Sequence, residues 1–218
     1  MSDPAPLFPR WTNTVAKLTL LVLGGGAVLT IAILMVYVRS PLYTNQYQSV
    51  HQPVQFDHRH HVRDDGIDCR YCHSTVEKAA TAGFPSTEVC ASCHGQIWNK
   101  SPYLLMIRNS MLHDQPLEWR RVHDLRDYVY FNHAIHVAKG IGCVSCHGRV
   151  DEMPEIVKDQ PMTMKWCLDC HRDPTRHIRP RDQITSMTWK ADDPERTGRE
   201  LAIQYDVKPR TACTTCHR

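Results

Sequence analysis

The stretch FNHAIHVAKGIGCVSCHG, residues 131–148, places two histidines three residues apart ahead of a Cys-x-x-Cys-His motif. A second stretch, FDHRHHVRDDGIDCRYCH at residues 56–73, repeats Phe, His and His at the same mutual offsets before another such motif. Chance is a poor explanation for the recurrence. The organisation of the chain therefore depends on what the two histidines of each pair bind.

All ten cysteines of the chain belong to Cys-x-x-Cys-His motifs. Cysteines at i and i+3 lie on one side of a helical turn and can both bind one haem, while the histidine that follows ligates its iron. Structural zinc and disulfides are two other uses of paired cysteines, but neither requires a histidine after every pair. The sequence therefore predicts five covalently bound haem c groups. Numbered 1 to 5 in chain order, the motifs are Cys69/Cys72/His73, Cys90/Cys93/His94, Cys143/Cys146/His147, Cys167/Cys170/His171 and Cys213/Cys216/His217.

The five proximal histidines leave nine of the 14 histidines for other roles. A low-spin electron carrier needs a second axial ligand on each iron, usually His or Met. Histidines three apart on a helical turn diverge, so a pair cannot share one iron and is predicted to serve two. The candidate distal ligands are His58, His61, His133 and His136, and for the fifth iron His123, with His113 behind it, Met153 or Met164.

An internal repeat organises the chain after residue 40. The two haem-pair repeats cover residues 56–94 and 131–171, and each contains one histidine pair and two motifs. From the second histidine of the pair to the next cysteine the distance is 8 residues in the first repeat and 7 in the second. The fifth haem, at 213–217, stands outside the duplication.

Leu18 to Val38 form a run of 21 residues without a charge. As a helix this run is about 30 Å long, the thickness of the hydrocarbon core of a membrane. We expect a transmembrane anchor helix at residues 16–39, a cytoplasmic segment at 1–15 and a haem domain at 40–218. Because haem c is attached outside the cytoplasm, the predicted location is the inner membrane, single-pass, with the haem domain on the periplasmic face.

The predicted fold class is mostly irregular with short α-helices, because so few residues per haem cannot build an ordinary hydrophobic core. A longer helix is expected near residues 103–112. Another is expected after Asp193, which can cap the helix while Pro194 takes its first turn. Little strand is expected, since no alternating run of useful length occurs.

Phe-x-His-x-x-His ahead of Cys-x-x-Cys-His resembles the class III cytochromes, the c3 and c7 families. This resemblance implies a multihaem cytochrome c fold. It also implies that the first histidine of each pair ligates the haem just downstream, His58 at motif 1 and His133 at motif 3. The second histidine, His61 or His136, would ligate a neighbouring haem, and its identity stays open at this point.

The whole chain resembles the membrane-anchored pentahaem cytochrome c subunit of alternative complex III. The stretches that carry the resemblance are DCRYCHSTVEKAA, WRRVHDLRDYVYFNHAIHVAKGIGCVSCHGRV and MKWCLDCHRDP. It implies a subunit that is no enzyme on its own and that passes electrons from quinol towards a soluble cytochrome c, a blue-copper protein or a terminal oxidase. The implied partners are integral-membrane quinol-binding subunits, an iron–sulfur subunit and often a monohaem cytochrome c.

Two alternatives remain open. The chain also resembles the NapC/NrfH membrane-anchored quinol dehydrogenases, which feed a periplasmic reductase, but these typically have four haems and a methionine where Thr75 stands here. A multihaem reductase with its own substrate site is the other alternative. A net charge of only +3 gives no reason to expect a nucleic-acid partner.

Overall fold

The structure, a computed structural model, describes residues 8–218. The chain divides into two units, one ending at Thr44 and the other comprising Asn45–Arg218. Part of the expected N-terminal segment 1–15 lies outside the described residues.

The first unit contains helices α1 (Trp11–Tyr37) and α2 (Pro41–Thr44). Helix α1 has 27 residues, and none of its side chains is buried. Its most apolar window has a mean hydropathy of 2.4, and the helix is long and apolar enough to cross a membrane. It begins five residues before the expected span of 16–39. The extension fits a helix whose first turn lies in the headgroup region, where Trp11 is a favourable residue.

The second unit is helical and largely irregular, as the sequence predicts. Its elements are a π-helical turn at Arg59–Asp64, α3 (Cys69–Cys72), α4 (Thr87–His94), α5 (Leu105–His113), α6 (His133–Ala138), α7 (Val144–His147), α8 (Met164–Arg172), α9 (Pro194–Gln204) and short 3₁₀ turns at Pro102–Leu104, Val150–Glu152, Thr175–His177, Arg181–Gln183 and Cys213–Thr215. Backbone pairing between extended segments of the described residues is limited to three isolated bridges.

Polar side chains fix where several of these helices begin. Asp68, Asn132, Thr163 and Asp193 each accept a hydrogen bond from a backbone N–H in the first turn of the helix that follows. Such caps satisfy donors that have no partner inside the helix. The predicted helix after Asp193 is therefore confirmed, cap included.

The helix predicted near residues 103–112 is also confirmed. Helix α5 occupies Leu105–His113 and is preceded by a 3₁₀ turn that starts at Pro102. Its buried residues are Ile107 and Ser110, and Ile107 packs with Val54 and Leu104 in one small apolar cluster. The helix therefore anchors the segment between motif 2 and the second repeat.

The spacing from the second histidine to the next cysteine differs by one residue between the two repeats, and the structure absorbs this difference locally. The second repeat continues from the histidine pair as α6, whereas the first has the π-helical turn, which accommodates one extra residue. At the end of each turn an isoleucine N–H donates to the carbonyl of the second histidine, Ile67 to His61 and Ile141 to His136. The chain therefore enters motifs 1 and 3 in the same way despite the different spacing.

Few apolar side chains of the described residues are buried. The six that are buried are Val54, Leu104, Ile107, Ile178, Ile184 and Tyr205, and no large side chain is fully enclosed. Apolar burial on this scale cannot stabilise a domain of this length by itself. The second unit needs another source of apolar packing.

Gly198 lies where α9 packs closely against another part of the second unit. A Cβ at this position would collide with the backbone carbonyl of Thr175, in the 3₁₀ turn Thr175–His177. Because a backbone atom cannot move aside as a flexible side chain can, any larger residue must push the helix away.

We predict that Gly198→Ala lowers the free energy of unfolding by about 1–3 kcal/mol through overpacking, despite the better helix propensity of alanine. Thermal unfolding of the haem-loaded protein measures the effect. Gly25→Ala is the matched control, because it makes the same change in a helix where a Cβ has open space. An unchanged unfolding temperature in Gly198→Ala would show that α9 does not pack here as described.

Candidate haem-binding site

The second unit encloses a cavity of about 2,420 Å³. Pockets for a single small molecule usually measure about 300–1,000 Å³. Nine of the ten cysteines line this cavity, together with the proximal histidines of motifs 1 to 4; motif 5 contributes Thr214, Thr215 and Cys216. All five motifs therefore open into one continuous space that is too large for one ligand.

Each motif is a tight turn that turns its two cysteines to one side. In motifs 1, 3 and 5 the backbone N–H of the histidine donates to the carbonyl of the first cysteine at 2.9–3.0 Å. This bond closes one helical turn, so residues i and i+3 share a face. The geometry is the one that two thioether bonds to a single porphyrin require.

Three pairs of imidazoles face each other across the cavity. Their ring centres are 6.1 Å apart for His61 and His94, 6.0 Å for His136 and His171, and 6.4 Å for His133 and His147. A metal–imidazole bond is about 2 Å long and the ring centre lies about 1 Å beyond the nitrogen, so two imidazoles on opposite sides of one iron have centres about 6 Å apart. Each pair has the separation that one iron between the rings would demand.

Backbone carbonyls orient most of these rings. In seven histidines Nδ1 lies 2.7–3.1 Å from a carbonyl oxygen, to which it can only donate. This bond fixes the tautomer and leaves Nε2 free to bind a metal. The pairs are His61 with Asp57, His73 with Gly83, His94 with Ile97, His133 with Ala80, His136 with Asn132, His171 with Arg210 and His217 with Tyr128.

The phenylalanine ahead of each histidine pair contacts the imidazole rings of both histidines, with the same geometry in the two repeats. Phe56 and Phe131 stand edge-on to the first histidine, with ring centres 4.6 and 4.8 Å apart. Both stack on the second histidine, at 4.3 and 4.4 Å. Close aromatic contacts of this kind restrict the rotamers of both partners. The duplication read from the sequence is therefore a duplication of geometry.

Burial keeps several of these imidazoles neutral, which is the form that ligates a metal. It lowers the pKa of His147 to about 3, with further contributions from His123, His133 and other histidines around it. Burial likewise lowers the pKa of His58 to about 4, and it lowers the pKa of His136. Burial therefore favours the neutral, metal-binding form of these three imidazoles.

The cysteines fit covalent haem attachment better than the two alternatives. All ten are unpaired, and among residues 8–218 no group of three or more His, Cys, Asp or Glu side chains is arranged to hold a metal ion. A zinc site needs about four such ligands in one place. Cysteine pairs along an apolar cavity, each beside an oriented imidazole, instead match the donor set of haem c.

His123 lies beside a proximal histidine and not opposite it. Its ring centre is 4.3 Å from that of His147, which is too close for an iron between the two. Its Nε2 is buried and has no hydrogen-bond partner, and burial lowers the pKa of the ring to about 4. The side chain is a neutral donor at the cavity, but it does not share an iron with His147.

The two methionine candidates lie away from the cavity. Met164 is 66% exposed, and neither it nor Met153 is among the residues that line the space, whereas Met162 and Met187 are. His113 is exposed at the end of α5. The sequence carried no signal that favoured Met162 or Met187 over the methionines closer to a motif.

Motif 5 differs from the other four in the surroundings of its histidine. The ring of Tyr128 lies 5.8 Å from that of His217. The carbonyl of the same tyrosine accepts the Nδ1 hydrogen bond of this histidine, so Tyr128 lies on the side away from the iron-binding nitrogen. The repeat provides no facing imidazole for motif 5.

Sequence reasoning missed the groups that aim the rings. Gly83, Ala80, Arg210 and Tyr128 act through their backbone carbonyls, and every residue has a carbonyl, so no residue type marks them. The offset of four residues from Asp57 to His61 and from Asn132 to His136 is the one local signal. This offset is informative only if the segment is known to be helical, because in a helix a backbone carbonyl lies close to the side chain one turn later.

Residues 129–218 match the family of cytochrome c7 and related cytochromes c. The matched residues contain motifs 3, 4 and 5, so this part of the second unit resembles a c7-type multihaem domain, and the match supports covalently bound haem c as its cofactor. The chain is also 28% identical, over 180 residues covering 79% of each sequence, to a protein of Nitratidesulfovibrio vulgaris described as the multiheme cytochrome c subunit of menaquinone reductase. Because that relative is a multihaem cytochrome c, the match supports a general electron-transfer role for this chain.

We predict that the intact mass of the purified protein equals that of the polypeptide plus five haems. Replacing both Cys213 and Cys216 with serine removes the two attachment points of motif 5 and should remove one haem. His177→Ala is the control and should retain all five. Mass spectrometry under denaturing conditions makes the measurement, since it counts only covalent haem. A native count other than five would overturn the prediction.

Proposed function

We propose that the chain binds five haem c groups and is the electron-transfer subunit of a membrane quinol oxidoreductase of the alternative complex III type. The observation that carries the proposal is the set of facing imidazole pairs along one continuous cavity. An iron with an imidazole on each side has no position left for a substrate, so it exchanges electrons and does not bind reactants. The motifs are close enough together to share one cavity.

The proposed axial pairs follow the facing rings. His61 and His94 hold the iron of motif 2, His133 and His147 that of motif 3, and His136 and His171 that of motif 4. By repeat equivalence with His133, His58 pairs with His73 at motif 1. In support, these two side chains interact electrostatically, and the Nδ1 of His58 is buried without a partner. Each histidine pair thus serves two irons.

The candidates for the distal ligand at motif 5 stay His123, with His113 behind it, Met153 and Met164, and of these His123 alone lines the cavity. His123 has the burial and the unpartnered Nε2 of a ligand, but its ring lies beside motif 3. A methionine would raise the reduction potential of the haem at motif 5 relative to a histidine. The identity of this ligand therefore determines whether the haem at motif 5 has a high reduction potential relative to the other haems.

Removing one distal histidine should leave one iron with a single protein ligand. We predict that His61→Ala converts one of the five haems to the high-spin ferric form, and that His136→Ala does the same in the second repeat. Electron paramagnetic resonance of the oxidised protein measures the conversion. The control is His60→Ala, which removes the neighbouring, exposed histidine that pairs with Asp64 and Asp65. Low-spin spectra from both His61→Ala and His136→Ala would refute the proposed ligands.

The chain's own residues then have three tasks in electron transfer. The cysteines fix each porphyrin in position, the carbonyl-bound imidazoles fix each iron, and the protein walls limit the access of water. A rigid, largely dry setting keeps the reorganisation that accompanies a change of iron charge small. The bound haems supply the one-electron chemistry.

The membrane placement rests on α1. A single apolar helix near the N-terminus fits a single-pass anchor. Because haem c is attached outside the cytoplasm, the proposed location of the haem domain is the periplasmic face of the inner membrane. The proposed partners are integral-membrane quinol-binding subunits, an iron–sulfur subunit and often a monohaem cytochrome c. A soluble cytochrome c, a blue-copper protein or a terminal oxidase would accept the electrons.

The similarity to a menaquinone reductase subunit favours a second candidate, in which electrons run in the opposite direction. In that case the chain receives electrons from a periplasmic donor and passes them towards a quinone. The proposed ligands and the cavity are compatible with electron transfer in either direction. Axial ligation determines the reduction potentials of the haems but not which protein donates the electrons. The partner subunits and the relative potentials decide between the two.

Purification of the tagged chain from its native membrane in mild detergent tests the proposal. We predict that it co-purifies with an iron–sulfur subunit and integral-membrane subunits, and that adding quinol to this assembly reduces its haems. Chain freed of the other subunits should show no reduction by quinol. Rapid-scan absorption spectroscopy of the haem bands follows both reactions.

Three outcomes would count against the proposal. A homogeneous chain that oxidises quinol unaided would favour the stand-alone quinol dehydrogenase. An assembly that reduces quinone from a periplasmic donor, while quinol leaves its haems oxidised, would favour the second candidate. A high-spin ferric haem in the native protein that binds a small anion would favour a reductase with its own substrate site.

A further inference from the structure

We infer that the five haem sites form one line in the order motif 2, motif 1, motif 3, motif 4, motif 5, so that spatial order differs from chain order. Motifs 2 and 5 are then the ends, where electrons enter and leave. This inference rests on the proposed five-haem electron carrier. It adds the path, which neither the sequence nor the similar proteins assign. Each junction of the line is carried by its own contacts.

Motifs 2 and 1 contact each other through residues inside their Cys-x-x-Cys turns. The hydroxyl groups of Tyr71, in motif 1, and Ser92, in motif 2, are 3.0 Å apart. Cys72 also interacts electrostatically with Cys90 and Cys93. Since each of these sulfurs would bind the edge of its porphyrin, the edges of the two porphyrins would lie close together here. The histidine pair His58 and His61 spans the same junction.

Motifs 1 and 3 meet at the middle of the line. Cys69 and Cys143, the first cysteines of the two motifs, interact electrostatically and both line the cavity. The backbone N–H and the Nδ1 of His133 both lie within 3.1 Å of the carbonyl of Ala80, in the loop after motif 1. The ring of His147 also has His73 among its electrostatic neighbours. This junction joins equivalent positions of the two repeats.

Motifs 3 and 4 are joined by helix α6. It carries His133, which faces the histidine of motif 3, and His136, which faces that of motif 4. Cys146 interacts electrostatically with both Cys167 and Cys170. One short helix would therefore supply a ligand to each of two adjacent irons. His58, just before the π-helical turn, and His61, within it, would do the same for motifs 1 and 2.

Motifs 4 and 5 are joined by the segment just before motif 5. His171 and Arg210 exchange two hydrogen bonds: the histidine Nδ1 donates to the arginine carbonyl at 2.9 Å, and the arginine N–H donates back at 3.2 Å. Cys167 interacts electrostatically with Cys216. The fifth motif therefore continues the line beyond the second repeat and does not lie beside the first.

Exposure agrees with this order. Of the ten cysteines, Cys93 and Cys213 are exposed, and the other eight are partly buried. The exposed cysteines belong to motifs 2 and 5, the two ends of the inferred line. A haem exchanges electrons with another protein most readily where its edge reaches the surface, so the ends are the ports. The interior motifs hand electrons on within the protein.

Cryo-electron microscopy of the haem-loaded protein in its native assembly tests the order through iron–iron distances. The expected result is that the two nearest irons to motif 1 are those of motifs 2 and 3, and that the nearest to motif 5 is that of motif 4. A nearest-neighbour order that follows the chain, 1 to 2 to 3, would overturn the inference. So would a compact cluster without two ends.

Two matched variants test the order in solution. His61→Met and His136→Met change equivalent positions of the repeats, at motifs 2 and 4, and methionine ligation raises the potential of that haem so that it is reduced first. Its ferrous low-spin iron no longer relaxes the spins of its neighbours. Electron paramagnetic resonance of the partly reduced protein measures this loss. His61→Met should alter the signal of one other haem, because motif 2 has one neighbour in the line. His136→Met should alter the signals of two other haems, because motif 4 has two neighbours.

Equal numbers of altered signals in the two variants would contradict the order, because a haem at the end of the line has one neighbour and an interior haem has two. If either variant fails to bind haem, the iron positions in the native protein still decide. Neither measurement depends on quinol. A line of irons in this order without quinol reactivity would refute the proposed function alone, while quinol reactivity with a different order would refute only this inference.

Discussion

The hydrogen bond from an imidazole Nδ1 to a backbone carbonyl is the interaction on which the rest of the second unit depends. It occurs at seven histidines, four proximal and three from the histidine pairs. Each bond contributes only about 1 kcal/mol net, yet the loss of such a partner typically weakens metal binding by about 10–100-fold. Bound haems would hold the loops that carry the carbonyls in turn, which would couple cofactor binding to folding.

This coupling explains a domain with so few buried apolar residues. Porphyrins fixed by thioether bonds provide the apolar surface against which a short chain can pack. The duplication is an economical way to build such a domain: in the proposed assignment, one phenylalanine and two histidines close together in the chain would serve two neighbouring irons. The π-helical turn in the first repeat and α6 in the second show that this arrangement tolerates a one-residue difference in spacing. What the arrangement preserves is the direction of the two rings.

The sequence predicted much of the chemistry and little of its arrangement. The five motifs, the duplication and the capped helix after Asp193 follow from spacing and residue type, and the c7-like fold class is confirmed. Which iron the second histidine faces could not be read, because it depends on where motifs 2 and 4 fold back, and the chain between contains no regular pattern. The separation of Met153 and Met164 from the cavity has the same cause: proximity along the chain does not report position in an irregular fold.

The central claim is that each histidine pair ligates two irons, so that at least four of the five haems have two imidazole ligands. Near-infrared magnetic circular dichroism of the oxidised native protein tests it most directly, because the ligand-to-metal charge-transfer band separates bis-histidine from histidine–methionine and from high-spin haem. We predict a spectrum in which bis-histidine haem accounts for four or five of the five irons. A spectrum with two or more histidine–methionine or high-spin haems would contradict the account.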